Sequence, residues 1–510
     1  MTASSIDNVE IINLLLDAGA NIEAKAAVVP RVTPVFLAGL HYCTLAFKEL
    51  LNRGADPNTL DDIGRAMVIA LSLPERHTIK ESLDIVRTMF ERIHPGTPRK
   101  IMDVNVRDPF NGMTALIYLC QSMDIKYVLQ SETLDVTIPD FAMKTALHYL
   151  CTRHSTNLFT LIAKGSDVNA ADEDGYTALM VTIIVPQPNY SVFQDLLSCG
   201  TGKSTFWLPN VNTSLANIEG KTALMLAAQR GLVSMIKALH VACPGNIELV
   251  DTAGRTALLH AAECGKIKPV KCLLDLGANV NHPTVNFSTA LHWAVDGGHI
   301  AVIDALLDGG ANLEARTRAG ETPLMWAAAN NNCTDVIKHL LSKGAKLEAT
   351  DAVGRTPLHL ACAHSHPLGA QVLLDAGANM FVRSALGRLP LHMAAAQGDT
   401  KSIKILFESN EHGRKTGAYC QHLNVDAVDT AGRTALSYAA ERGSMFAVVA
   451  LLSLNASKSI IDRDVERAYT KALRGNHLKI ARLLHPLGPQ PELEYEEEIP
   501  APIPEEEPGQ

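Results

Sequence analysis

The sequence predicts an all-α repeat solenoid built from short helix-turn-helix units, and three observations carry the prediction. A tetrapeptide of the form Thr-(Ala/Pro)-Leu-x recurs at Thr114, Thr145, Thr177, Thr222, Thr256, Thr289, Thr322, Thr356 and Thr434, with Leu389-Pro390-Leu391-His392 as a variant. Steps between neighbours are mostly 31–34 residues, with two of 45, from 177 to 222 and from 389 to 434. The composition is 47% apolar and only 5% aromatic, which suits small, closely packed helices better than a sandwich or barrel. A fixed period of this length marks stacked supersecondary units. It displaces the reading of 510 residues as about three globular domains.

Residues 284–316 show how each unit folds. Thr289 stands where an N-cap is wanted, its hydroxyl placed to accept from a free amide of the first turn. Where proline follows, as in Thr322-Pro323 and Thr356-Pro357, it takes the first helical position that tolerates it. Residues 290–295 form the inner helix, which Gly297-Gly298 ends. The outer helix runs from about Ile300 to Leu307, with Val302, Ile303, Leu306 and Leu307 on one stripe. Gly310 follows, where a left-handed cap is favoured, and 311–314 lead out to the next turn. Each helix is shorter than the roughly 12–15 residues an isolated helix needs. Stability therefore has to come from neighbouring units covering each other's apolar stripes.

Along the chain the expected organisation is as follows. Residues 1–24 are a partial first unit with an outer helix only, and 25–216 are divergent units with insertions. Residues 217–383 are regular units, 384–488 hold further units with one insertion and a divergent C-terminal cap, and 489–510 are a disordered acidic tail. Degenerate copies of the motif lie at Thr33-Pro34 and near Arg65 and Ala468. Extra chain falls around 74–80 and 94–100, and 198–214 and 408–422 are insertions after the outer helix, expected at the finger edge as binding loops or as plain surface loops. The missing inner helix of the first unit reads as a fragment of something longer or as an end that a partner covers. The last unit, 463–485, carries Arg467, Lys471, Arg474, Lys479 and Arg482, a polar surface fit for an end cap.

These residues resemble the ankyrin repeat. The resemblance rests on Thr-Pro-Leu-His at 356–359, Gly298-His299, and Leu-Leu-x-x-Gly-Ala at 15–20, 50–55, 273–278, 306–311, 340–345 and 373–378. It covers about 8–488, as an array of about twelve repeats plus a partial first one. It implies antiparallel helix pairs, hairpin-like fingers along one edge, and a concave face of fingers and inner helices that binds proteins. It also implies that His148, His292, His359 and His392 hydrogen-bond backbone between units. Trp293, Trp326, Tyr118, Tyr149, Leu360, Met393 and Tyr438 share one column, which the resemblance assigns to packing among inner helices rather than to a binding strip.

Charge and motifs exclude other classes. Residues 489–510 hold eight Glu and no Lys or Arg, so the rest of the chain carries only −1 of the formal −9. Without a basic field or basic run, no nucleic-acid partner is expected. Ten single cysteines without a C-x-x-C pair, with Cys120, Cys151 and Cys362 at parallel buried positions, point to a reducing compartment, cytoplasmic and/or nuclear. The N-terminus has no signal-peptide pattern, and the longest apolar run, 178–185, stops at Pro186. No membrane insertion is expected.

The segment 200–205, Gly-Thr-Gly-Lys-Ser-Thr, imitates a phosphate-binding loop, but Leu197 stands where that loop requires Gly. His364-Ser365-His366 and the group His412, Cys420 and His422 lack the paired spacing of a zinc site. Leu161 with 167–170 is similar to the asparagine-hydroxylation pattern of ankyrin repeats, and is equally what any such repeat spells. No catalytic, cofactor-binding or metal residue and no small-molecule substrate is expected.

Two variable columns remain as candidates for partner binding. One is Lys221, Arg255, Ser288, Glu321, Arg355, Arg388 and Arg433; the other contributes Arg230, Glu263, Asp296, Asn330, His364, Gln397 and Glu441. Their mixed sign suits a protein surface. The expected function is a non-catalytic scaffold or adaptor holding a partner protein, chiefly over 217–442. The alternative is the recognition segment of a larger enzyme, a ubiquitin-ligase receptor or an NTPase, whose catalytic domain lies outside these residues.

Overall fold

The computed structural model describes residues 2–27, 31–72, 85, 103–122, 125, 128–131, 133–152, 157–198, 210–415 and 422–485. Among them every regular element is a helix, as an all-α repeat solenoid requires. Their contacts divide the chain into two compact units, Met1–Val285 and Asn286–Gln510.

In the second unit the inner helices are Ala290–Asp296, Pro323–Ala329, Pro357–Ala363, Pro390–Gln397, Ala435–Arg442 and Ala468–Arg474. Each is followed by an outer helix, the first two being Ile300–Asp308 and Thr334–Ser342. Three of the four expected stripe residues are buried, Val302, Ile303 and Leu306 being at most 1% exposed, as are Leu291, Ala294 and Val295 of the inner helix, while Leu307 is half-buried. Truncating a residue so enclosed, Leu306→Ala for instance, costs about 2–5 kcal/mol. The first unit repeats the pairing, as in Ala178–Ile184 with Tyr190–Ser198 and Ala257–Glu263 with Ile267–Asp275.

Between pairs the chain turns through a short finger. Asp351 Oδ1 accepts from the Val353 and Arg355 amides at 3.0 and 2.8 Å, and the Asp351 amide donates to Arg355 O at 3.0 Å. Successive fingers are joined by backbone bonds, Ala352 N–H to Ala319 O at 2.9 Å and Ala385 N–H to Val353 O at 2.8 Å. Gly354 is needed twice over. Its φ of +73° is left-handed, and a Cβ there would stand 3.0 Å from Ala385 N of the next finger.

Four expectations change. The Thr289 hydroxyl does not cap a backbone amide; it pairs with His292 Nδ1 at 3.1 Å, because the ring reaches back into that space. A turn of helix, Thr2–Ser5, precedes Val9–Asp17 with Ala3 and Ser4 buried, so the first outer helix has a short companion. Residues 408–415 continue the outer helix Thr400–Lys415 instead of looping out, because the chain holds helical hydrogen bonding there. Lys471, expected on the exposed face of the end cap, is fully buried, since Asp462 stands 3.2 Å from its ammonium and neutralises it. The segments 74–80 and 94–100, the loop imitation at 200–205 and the tail 489–510 lie outside the described residues.

Candidate partner-binding face

The histidine at the end of the tetrapeptide ties each unit to the next. His359 Nε2 lies 3.0 Å from Arg388 O, a group that only accepts, so Nε2 carries the proton. Nδ1 is then bare and takes the Thr356 amide at 3.1 Å and its hydroxyl at 2.9 Å. His148, His292 and His392 do the same to Tyr176 O, Glu321 O and Ala427 O at 3.0, 3.2 and 2.9 Å. A second proton would point Nδ1–H at a donor amide in a dry site. Burial accordingly pushes His292 and His359 down to about 4, and lowers His148 and His392. With both ring nitrogens engaged, these histidines are structural fasteners. His366 is likewise spent, Nδ1 on Ala328 O at 3.1 Å and Nε2 on the Thr334 hydroxyl at 2.9 Å.

The basic column turns inward. Arg355 pairs through Nε with Asp351 at 2.6 Å, a carboxylate with no exposed side-chain surface, and reaches Glu321 at 3.6 Å. Arg255 holds Asp251 at 2.9 Å and Glu263 at 3.2 Å. Arg388 meets Asp429 at 3.5 Å, and Arg433 meets Glu441 at 3.6 Å and Asp462 at 3.9 Å. Lys221 pairs with Glu219 at 2.6 Å, and Ser288 is buried. Arg230 donates to the carbonyls of Ile183 and Val185 at 2.9 and 2.7 Å, closing the helix Ala178–Ile184. These side chains are therefore largely committed to holding fingers and helix ends. Asp296, His364 and Gln397 stay exposed at the ends of successive inner helices, with Asn330 half-buried among them. Asn330 donates to Asp296 O at 2.9 Å and to its carboxylate at 3.2 Å.

The aromatic column has a role that the sequence reading as plain packing missed. Tyr118, Tyr149 and Tyr438 each donate to a finger carboxylate, Asp108, Asp140 and Asp429, at 2.7, 2.6 and 2.7 Å. His260 takes the same place against Asp251 at 3.0 Å, and Lys471 against Asp462. The column thus fastens each inner helix to its own finger. Its signal was available: an Asp stands nine or ten residues ahead of each of these five. Trp326 Nε1 instead donates to Glu321 at 3.1 Å, and Trp293 Nε1 to the Ser288 hydroxyl at 3.1 Å.

Chemistry other than binding finds little support among these groups. The carboxylates of Asp462, Asp464 and Glu466 converge as cation ligands would. The Lys471 ammonium already lies among them, against Glu466 and 3.9 Å from Asp464. Cys120 and Cys362 are buried, which pushes both thiols well above their usual range and keeps them from acting as nucleophiles. Among the described residues no helix is long and apolar enough to cross a membrane.

Helix pairs stacked through fingers, with histidines linking unit to unit, define a repeat protein of the helix-turn-helix solenoid class. A family model for ankyrin repeats (3 copies) matches residues 179–284, 282–351 and 324–416. The chain carries ankyrin repeats over residues 179–416. No curated protein matches it. Ankyrin repeats generally mediate protein–protein interaction and are typically non-catalytic modules.

Proposed function

We propose that this chain is a non-catalytic scaffold or adaptor that holds a partner protein against the ends of its inner helices. The observation that carries the reading is the division of labour just described. Fingers and histidines satisfy one another internally, while Asp296, Asn330, His364 and Gln397 present one variable polar group per repeat at a constant place. Side chains mounted on a preformed frame lose little ordering entropy when a partner docks. The test is photo-crosslinking in cells. A crosslinking residue at Asn330, His364 or Gln397 is expected to trap a discrete partner set, and one at Lys338 or Leu368 on the outer helices to trap little. Equal yields from both faces would remove the reading.

A further inference from the structure

The column that fastens helix to finger changes character at Trp293 and Trp326. The two indoles stand edge to face, 5.8 Å between centroids at 77°, and both are half-exposed. Their N–H groups are used internally on Ser288 and Glu321, so what they turn outward is ring surface. They line a groove of about 650 Å³ together with Asp296, Glu321, Asn330 and His364, and no lysine or arginine lines it. The Asp296 carboxylate accepts from the neutral Asn330 amide and has no cation partner among the described residues.

The molecule shows elsewhere what such a column ring takes up. Over Tyr438 lie two guanidiniums from the chain itself, Arg388 at 5.0 Å and Arg433 at 5.8 Å from the ring centroid. Those arginines occupy the position just before the tetrapeptide in their own repeat and in the one preceding it. At Trp326 the same two positions are Glu321 and Ser288, a carboxylate and a hydroxyl. Neither position supplies a guanidinium to the indoles, and Glu321 there is itself paired with Arg355 at 3.6 Å, while the π faces remain. Among the described residues no guanidinium lies over either indole.

We infer that the groove between Trp293 and Trp326 seats an arginine side chain of a partner polypeptide, the guanidinium stacked on an indole and charge-paired with Asp296. The inference rests on the adaptor reading and names the chemistry of its docking residue. A neutral isostere loses the charge pairing, and a carboxylate-bearing segment is repelled by Asp296.

The test uses the full chain and the indole N–H resonances of Trp293 and Trp326, each assigned by a single Trp→Phe substitution. An acetylated and amidated Gly-Gly-Arg-Gly-Gly peptide should shift both signals saturably in the millimolar range. The citrulline counterpart should bind about fivefold more weakly, as should the arginine peptide to Asp296→Asn, the scale expected of one exposed charge contact. Asp296 is exposed, so its variant keeps the fold, and unshifted indole signals before titration confirm that. Silence of both indoles up to about 10 mM peptide overturns the inference, as does an equal response to citrulline or an unaltered Asp296→Asn titration. If the photo-crosslinks from the inner-helix ends persist while the titration is silent, the arginine seat falls and the adaptor reading stands.

Discussion

Two kinds of repeat share one tetrapeptide here and close it differently. At Thr289 and Thr356 the fourth residue is histidine, and the threonine hydroxyl goes to the ring while Nε2 reaches the next unit. At Thr177 and Thr322 it is methionine, and the hydroxyl caps the helix by accepting the methionine amide at 3.5 and 3.4 Å. The first kind spends its polar groups on coupling units together; the second spends them on its own helix. The difference teaches that a motif with one outline serves two energetic purposes, and that only the histidine kind couples the array to proton concentration.

Acid should show the contrast most strongly. The histidine rings are held neutral in the folded state, with His292 and His359 at about 4 against an ordinary value of about 6.5 in the unfolded chain. The unfolded state therefore binds more protons between those two values. The stability the rings contribute is complete above about pH 6.5 and is lost as pH falls towards 4. At about 1.4 kcal/mol per pH unit, each ring accounts for about 3 kcal/mol over the whole window. The urea midpoint, followed by circular dichroism, should fall steeply between pH 7 and 4.5. In the double variant His292→Gln/His359→Gln the slope should flatten, and an unchanged slope would break the comparison.

A smaller effect is expected from turning one kind of repeat into the other. His359→Met should cost about 1–2 kcal/mol, because Arg388 O loses its donor while sulfur can still take the Thr356 amide, as Met325 Sδ takes that of Thr322 at 3.4 Å. Thermal unfolding measures it, and no loss at all would mean that the link between units is idle.

The smallest difference sharpens the point. Thr322→Val should remove a helix cap worth about 1 kcal/mol. Thr356→Val should cost about half that, since the amide of residue 356 still fills His359 Nδ1. Denaturant midpoints of the two variants, compared in one background, check the order.

Much of this was legible in the primary structure. The helices read at 290–295 and about 300–307 are found one residue longer, as Ala290–Asp296 and Ile300–Asp308, and the left-handed Gly310 and the burial of Cys120, Cys151 and Cys362 appear where read. So does the histidine bond between units, which the family resemblance implied. The candidate basic column was less transparent. Nothing in the spacing of Arg355 said that its guanidinium would close on Asp351 four residues back, rather than face a partner. Lys471 looked like a surface charge until the fold gathered Asp462, Asp464 and Glu466 around it.

The sequence by itself determined the period, the two-helix unit and the caps, because those depend on backbone preferences and apolar spacing within a few turns of chain. The tertiary structure alone decided which polar groups remain for a partner. That outcome depends on pairings across a finger, such as those four and nine residues apart, or between neighbouring repeats, 28 to 47 residues apart. Only the folded backbone brings such a carboxylate or carbonyl to its partner, and it leaves Asp296 without a countercharge among the described residues and the two indole faces turned outward.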